Sequence, residues 1–373
     1  MGKPYLWVAV VTAVVLLVMS ALLLNHNTAA EPTAKHALPS DGPIVYVYRS
    51  GSHYYAIDLL SNKVICVDSP TACIQEAIDY VQSYAQVVAG NAADYKTQPG
   101  GEVLIGPGVY VVNETIQLPS GFALVGSGMR NTVITQGGPF PIMEWRDPTR
   151  TNQDFVIRDL TFYGAYATSK PMIDLSQVET GSHGLIEDVY INCNPAGNVC
   201  LDISGDDDIA LIGVITSLNT DWDNPSVRAF VPGGNINIIA SKLFGGGVFM
   251  GENINFLGDV FGPYQQVNLF TVPNHPAIYN FEGCYFNNAT RIYVWLGQST
   301  VPVMFIDMEG TVMYTANPVF VNPSKAPITI YLTLSNTYMY SSQPASMFDN
   351  GIHGFITYGG AVDLVNVSTN TTG

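Results

Sequence analysis

From the middle of the chain onward, short stretches alternate apolar and polar residues, the pattern of strands buried on one side. They begin at Phe155, Gly184, Ile209, Ile236, Glu252, Ala277, Val303 and Ile328, at intervals of 29, 25, 27, 16, 25, 26 and 25 residues. A recurrence near 25 residues signals a solenoid. Many stretches carry an Asn, Asp or Gly near the middle, which suits a coil of short strands whose inner side chains stack on the next coil. A β-sandwich is the alternative, and it calls for strands every ~8–12 residues joined by hairpin turns. The one Asp-Gly pair, Asp41-Gly42, precedes the repeats. Parallel coiling needs no hairpins, so the pattern predicts an all-β parallel β-helix.

The front of this region reads differently. Thr71 to Gln82 is a short amphipathic helix with Ile74, Ala77, Ile78 and Val81 on one face. Short strands punctuated by glycines follow, from Gly100 to Tyr110 and from Thr115 to Ile134. A solenoid needs such a helix as a cap, because its first coil otherwise exposes an apolar end.

The motifs here are Ile74-Gln75-x-Ala77-Ile78-Asp79, Gly100-Gly101-x-Val103-x-Ile105-x-x-Gly108-x-Tyr110, Ile116-x-Leu118-x-Ser120-Gly121 and Leu124-x-Gly126-x-Gly128. In this order they resemble the N-terminal part of pectate-lyase-superfamily proteins, specifically the rhamnogalacturonase and epimerase-like group. The resemblance is close over Ile74 to Ile134 and generic over the repeats to about residue 340. It implies a right-handed parallel β-helix and a carbohydrate-related role. The stretch from Val45 to Asp58 is similar to leading strands of some members. Two features depart from the group: Ser69-Pro-Thr-Ala-Cys73 replaces the acidic run that often precedes the helix, and Tyr84 to Gln98 is an insertion.

Ahead of the repeats, Tyr5 to Leu24 is an uncharged apolar run of 20 residues, enough as a helix to span a bilayer core of about 30 Å. Lys3 precedes it and the next basic residue is Lys35, which orients the N-terminus inward. The division expected is therefore 1–4 inside, 5–24 a transmembrane helix or uncleaved signal anchor, 25–42 a linker, 43–365 the β-helix ectodomain and 366–373 a polar tail. A cleaved signal peptide ending near Thr28-Ala29-Ala30, giving a secreted protein, is the alternative. Export agrees with the cysteines. Cys66 and Cys73, and Cys193 and Cys200, suit two short-loop disulfides with Cys284 left over; five buried thiols is the alternative. No His sits at zinc spacing beside either pair. Glycosylation sequons stand at Asn113, Asn288, Asn366 and Asn370.

The net charge of −16, with only 14 basic residues, excludes a nucleic-acid partner that needs a basic patch. A polyanionic glycan would also be repelled unless calcium bridged it. The densest acidic cluster is Asp206, Asp207 and Asp208, followed by Asp221 and Arg228. On a strand, Asp206 and Asp208 share one face. Asp206, Asp208, Asp221 and Arg228 are thus the catalytic candidates, Trp222 and His183 the substrate-binding ones, and Asp206 to Asp208 a calcium site. Lyases of the resembled superfamily use carboxylates to hold calcium and an Arg or Lys as base. Gly205 to Ala210, Asn219-Thr220-Asp221 and Ser182-His183-Gly184 resemble polygalacturonase motifs, but in a different order and without the Arg-Ile-Lys triplet. Asp-rich turns also form for structural reasons alone. Tyr293 and Trp295 share one strand face and could line a groove, with stacking inside the helix the commoner explanation.

The expected function is a membrane-tethered glycan-binding or envelope protein. The alternatives are a polysaccharide hydrolase or lyase acting through the Asp cluster, and a fibre or spike subunit forming a homotrimer.

Overall fold

The computed structural model describes residues 42–84, 101–119, 121–146, 154–168, 170–176, 183–193, 199–205, 208–216, 225–262, 266–274, 276–297, 301–324, 326–349 and 351–369. They form a parallel β-solenoid with three ladders of strands. The first ladder runs through Glu102–Ile105, Phe122–Val125, the first half of Asp154–Tyr163, and on to Ile328–Ser346 and Ile352–Ser368. The second passes through Gly108–Val112 and Thr132–Gln136, and the third through Ile116–Leu118 and Met143–Trp145. Strands after Asp154–Tyr163 are stacked in register coil upon coil: Ile157 lies beside Ile186, then Leu211, Ile238, Phe256, Phe281, Met308 and Leu334. All of these are buried. The short interval in the sequence repeat is a short coil: Asn255 contacts its register partner Asn237, 18 residues back, where Asn280 contacts its register partner Asn255, 25 residues back.

A single left-handed residue turns each of nine coils from the first ladder into the second, which explains the recurrent Asn, Asp or Gly. These are Asp159, Asp188, Gly213, Ala240, Gly258, Gly283, Gly310, Asn336 and Gly360, with φ between 50° and 69°. Asp, Asn and Gly tolerate this conformation best. At Gly213 there is a second reason, because a Cβ would stand 2.5 Å from the Asp188 carboxylate. The residue after each of these turns except the last points inward, whereas Ala361, after Gly360, is exposed. Inside, rings stack between coils, as Phe256 on Phe281 at 4.6 Å and Phe261 on Phe286 at 4.5 Å.

At the N-terminal end, Ile44–Ser50, His53–Asp58 and Val64–Val67 form an antiparallel meander that joins the first ladder at Glu102–Ile105. The helix Ile74–Gln82 buries Ile74, Ala77, Ile78 and Val81. Glu76 holds its first turn by accepting from the hydroxyls of Ser69 at 2.9 Å and Thr71 at 3.1 Å. Gln75 pairs with the backbone of Gln117 through both amide atoms, at 3.0 and 2.6 Å. Its side chain thereby mimics a neighbouring strand. Disulfides join Cys66 to Cys73 and Cys193 to Cys200, and Cys284 is a buried free thiol.

The single-pass membrane placement needs correction. Among the described residues, no helix is long and apolar enough to cross a membrane. The one described helix has 9 residues and a polar face, spanning about 14 Å where a bilayer core needs about 30 Å. The segment Tyr5 to Leu24, on which that placement rested, lies outside the described residues.

Candidate functional site

The outward face of the first ladder collects polar, acidic and aromatic side chains in columns. Its strands alternate, so burying Met304, Ile306 and Met308 turns Phe305, Asp307 and Glu309 outward. The register then sets Phe305 beside Tyr331 and Tyr331 beside Phe355. The three rings stack at 5.1 Å and 5.1 Å, and are 42%, 42% and 56% exposed. Asp307 lies beside Asn280, and Glu309 beside Glu282. Burial, and then the neighbouring Glu309, raise the Asp307 carboxyl above the usual carboxylate range.

Toward the N-terminus the same face becomes an amide ribbon. Asn280 donates to Asn255 at 2.7 Å and to Asn253 at 3.2 Å, and Asn255 donates to Asn237 at 3.0 Å. Asn235 donates to Asp208 at 3.1 Å, and His183 lies 3.6 Å from the other Asp208 oxygen. From Asp208 to Thr357, no Lys or Arg occupies an outward position of this ladder among the described residues.

Of the residues singled out in the sequence, His183 and Asp208 are thus brought together. Arg228 is on the third ladder, where it donates to Asp202 at 3.3 Å. The structure does not place it against Asp208. Burial raises the Asp202 carboxyl, against the lowering effect of the Ser204 hydrogen bonds and Arg228. Asp206, Asp207, Asp221 and Trp222 lie outside the described residues, as does Asn370, while nothing is described of the side chain of Asn288. Asn113 and Asn366 are exposed, and Asn366 donates its amide to the Ser341 carbonyl at 3.0 Å. Among the described residues, the potential metal-ligand atoms close enough to share an ion belong to Cys66, Cys73 and Glu76, and the two sulfurs are joined in a disulfide.

Tyr293 and Trp295 do not stack inside the helix. Ile292 and Val294 take the inward positions of that strand, so the pleat turns both aromatics outward on the third ladder. There Trp295 donates to Asn268 at 3.2 Å and stacks on Phe270 at 6.0 Å.

Residues 67–208 match the sequence profile of the rhamnogalacturonase A/epimerase, pectate lyase-like family. Over these residues the chain is similar to pectate-lyase-like β-helix proteins. No curated protein matches it by sequence. Among solved structures it is similar to ORF18 of Geobacillus virus E2, at 13% identity and a TM-score of 0.44, over 84% of this chain and 68% of that one. It is similar also to the A-module of the mannuronan C-5 epimerase AlgE4 of Azotobacter vinelandii, at 13% identity and a TM-score of 0.38, over 78% and 96%. The family match of this β-helix protein ends at Asp208. The stripe of Phe305, Tyr331 and Phe355 lies beyond it and was not singled out in the sequence. Its signal was the alternation from Val303 to Glu309, which shows the outward set but not which coil lies beside it.

Proposed function

We propose that this β-helix protein binds a polysaccharide along the outward face of the first ladder. The observation that carries the reading is the exposed stack of Phe305, Tyr331 and Phe355 beside a continuous ribbon of amides and carboxylates. Contiguous exposed apolar surface edged by polar groups marks a binding site. The rings supply an apolar rail for the C–H faces of sugars, and the amides and carboxylates meet their hydroxyls. The pectate-lyase-like match supports a carbohydrate partner. The test is calorimetry of the full chain against a panel of neutral, acidic and amino-bearing oligosaccharides. Tyr331→Ala should weaken binding by about tenfold, the usual scale for a central aromatic contact, with an unchanged melting temperature. Equal binding by the variant would move the site elsewhere.

Catalysis is a second reading, favoured by the raised Asp307 carboxyl two residues from Glu309 on the same face. Two residues of strand span about 6.6 Å, within the range of about 6.5–9.5 Å between the carboxyls of an inverting glycosidase. Hydrolysis requires two carboxyls whose surroundings differ, one acting as acid and one as base. Release of reducing ends, abolished in Asp307→Asn, would establish it; the absence of turnover on bound oligosaccharides would leave a binding protein.

The same reading takes the helix Ile74–Gln82 as the cap of the solenoid, and its two disulfides as fitted to an oxidising, exported setting. Calcium at Asp208 and glycans at Asn113 and Asn366 belong with it as proposals.

A further inference from the structure

We infer that the glycan held on the first ladder carries amino groups; this rests on the glycan reading above. Glu282, Asp307 and Glu309 occupy neighbouring outward positions on two adjacent strands. Among the described residues no Lys, Arg or His forms an ion pair with any of them. Ionised carboxylates only accept hydrogen bonds, so the ligand must bring the donors. Hydroxyls meet that need, and an ammonium meets it more strongly because both partners are charged.

Charge along the rest of the face points the same way. The outward positions from His183 to Thr357 carry five carboxylates, Glu187, Asp208, Glu282, Asp307 and Glu309, against two histidines, His353 and the His183 that lies beside Asp208. Such a face repels a uronate chain and concentrates a basic one. The stripe of Phe305, Tyr331 and Phe355 runs directly beside these carboxylates, because Phe305, Asp307 and Glu309 share one strand face. A sugar ring laid on the rail therefore holds its substituents over the acids. Burial and then Glu309 raise the Asp307 carboxyl, and a bound ammonium would offset the second of these effects.

The experiment is calorimetry of the full chain against three oligomers of equal length: fully deacetylated β-1,4-glucosamine, its N-acetylated counterpart and oligogalacturonate. The glucosamine oligomer should bind about tenfold tighter than the acetylated one, two exposed charge contacts being worth about that much together. Oligogalacturonate should not bind. The Asp307→Asn/Glu309→Gln double variant should abolish the preference, since the charge that sets it is removed. A control, Glu114→Gln/Asp363→Asn, removes two exposed acids from other positions and should keep the preference.

Equal binding of the two glucosamine oligomers, or tighter binding of galacturonate, overturns the inference. So does a control that loses the preference as fully as the site variant, because the overall charge of −16 would then account for it. Tyr331→Ala separates the two levels. If it abolishes binding of every oligomer but no amino preference exists, only the inference fails. If it leaves all binding unchanged, or if none binds to the folded chain, the glycan reading fails as well.

Discussion

Two polar columns run along this solenoid, one sealed inside and one open to water. The inner one follows the left-handed turns: Ser241, Asp259, Cys284, Thr311 and Thr337, all buried. The outer one is the ribbon of Asn237, Asn255, Asn280 and Asp307 on the first ladder. Both arise from the same stacking, which places equivalent positions of successive coils side by side. Their hydrogen bonding differs. Inner groups bind backbone: Thr311 donates to the Phe281 carbonyl at 3.0 Å and Thr337 to the Met308 carbonyl at 2.7 Å. Outer groups bind one another and retain unused acceptors facing solvent. A polar column in the core holds the turns in place, whereas the same device on the surface leaves capacity for a ligand.

Asp259 is where the inner column is weakest. One carboxylate oxygen accepts from the Ser241 N–H at 2.7 Å, and the other has no partner. Burial pushes its pKa up to about 8 from 3.8, opposed by backbone hydrogen bonds. Because the folded value lies above the unfolded one, the folded chain holds the proton longer. Stability from this group is complete below about pH 4 and is lost as pH rises to about 8. Between about pH 5 and about pH 7.5 the loss is on the order of 3 kcal/mol. Asp259→Asn should flatten most of that slope in urea unfolding at the two pH values. Asp202 and Asp307, also raised by burial, retain a part of it. Equal slopes in the variant and the parent would show that Asp259 reaches solvent.

A smaller effect tests the column one coil pair at a time. Thr337→Val keeps shape and removes the hydroxyl that bridges Met308 and Ser335. The expected cost is about 1 kcal/mol, the net value of a buried hydrogen bond, read as a lower urea midpoint with unchanged slope. A cost near zero would mean the turn is fixed by Asn336 alone, whose φ of 50° already sets it.

The two columns were unequally legible in the sequence. The coil period, the helix with Ile74, Ala77, Ile78 and Val81 inward, and the recurrent turn residues follow from spacing alone, because each is a local pattern repeated. Both disulfide pairings agree with short-loop spacing. The outer site was not legible. Asp206 to Asp208 drew attention as the densest charge, but the open acidic and aromatic face forms from Glu282, Phe305, Asp307, Glu309, Tyr331 and Phe355, which are spread over several coils. Only the register brings them together, and register depends on coil lengths that vary, as the 18-residue coil between Asn237 and Asn255 shows. Tyr293 and Trp295 were misplaced for a related reason. Alternation puts two residues on one face without saying which face is the core.

The smallest expected effect lies in the outer column and completes the contrast. Asn255→Ala removes the amide that donates to Asn237 and accepts from Asn280. The ribbon is half-buried, so water replaces much of what is lost, and the cost should be about 0.5 kcal/mol, at the low end for a hydrogen bond. Thermal unfolding of the variant should therefore stay within about two degrees of the parent, given the small shift per kcal/mol in a chain of this size. Glycan affinity should fall by more than that stability change suggests, because Asn280 loses the acceptor that orients it beside Asp307. A large drop in melting temperature with intact binding would reverse the assignment of roles, making the outer ribbon structural and leaving the aromatic stripe to act alone.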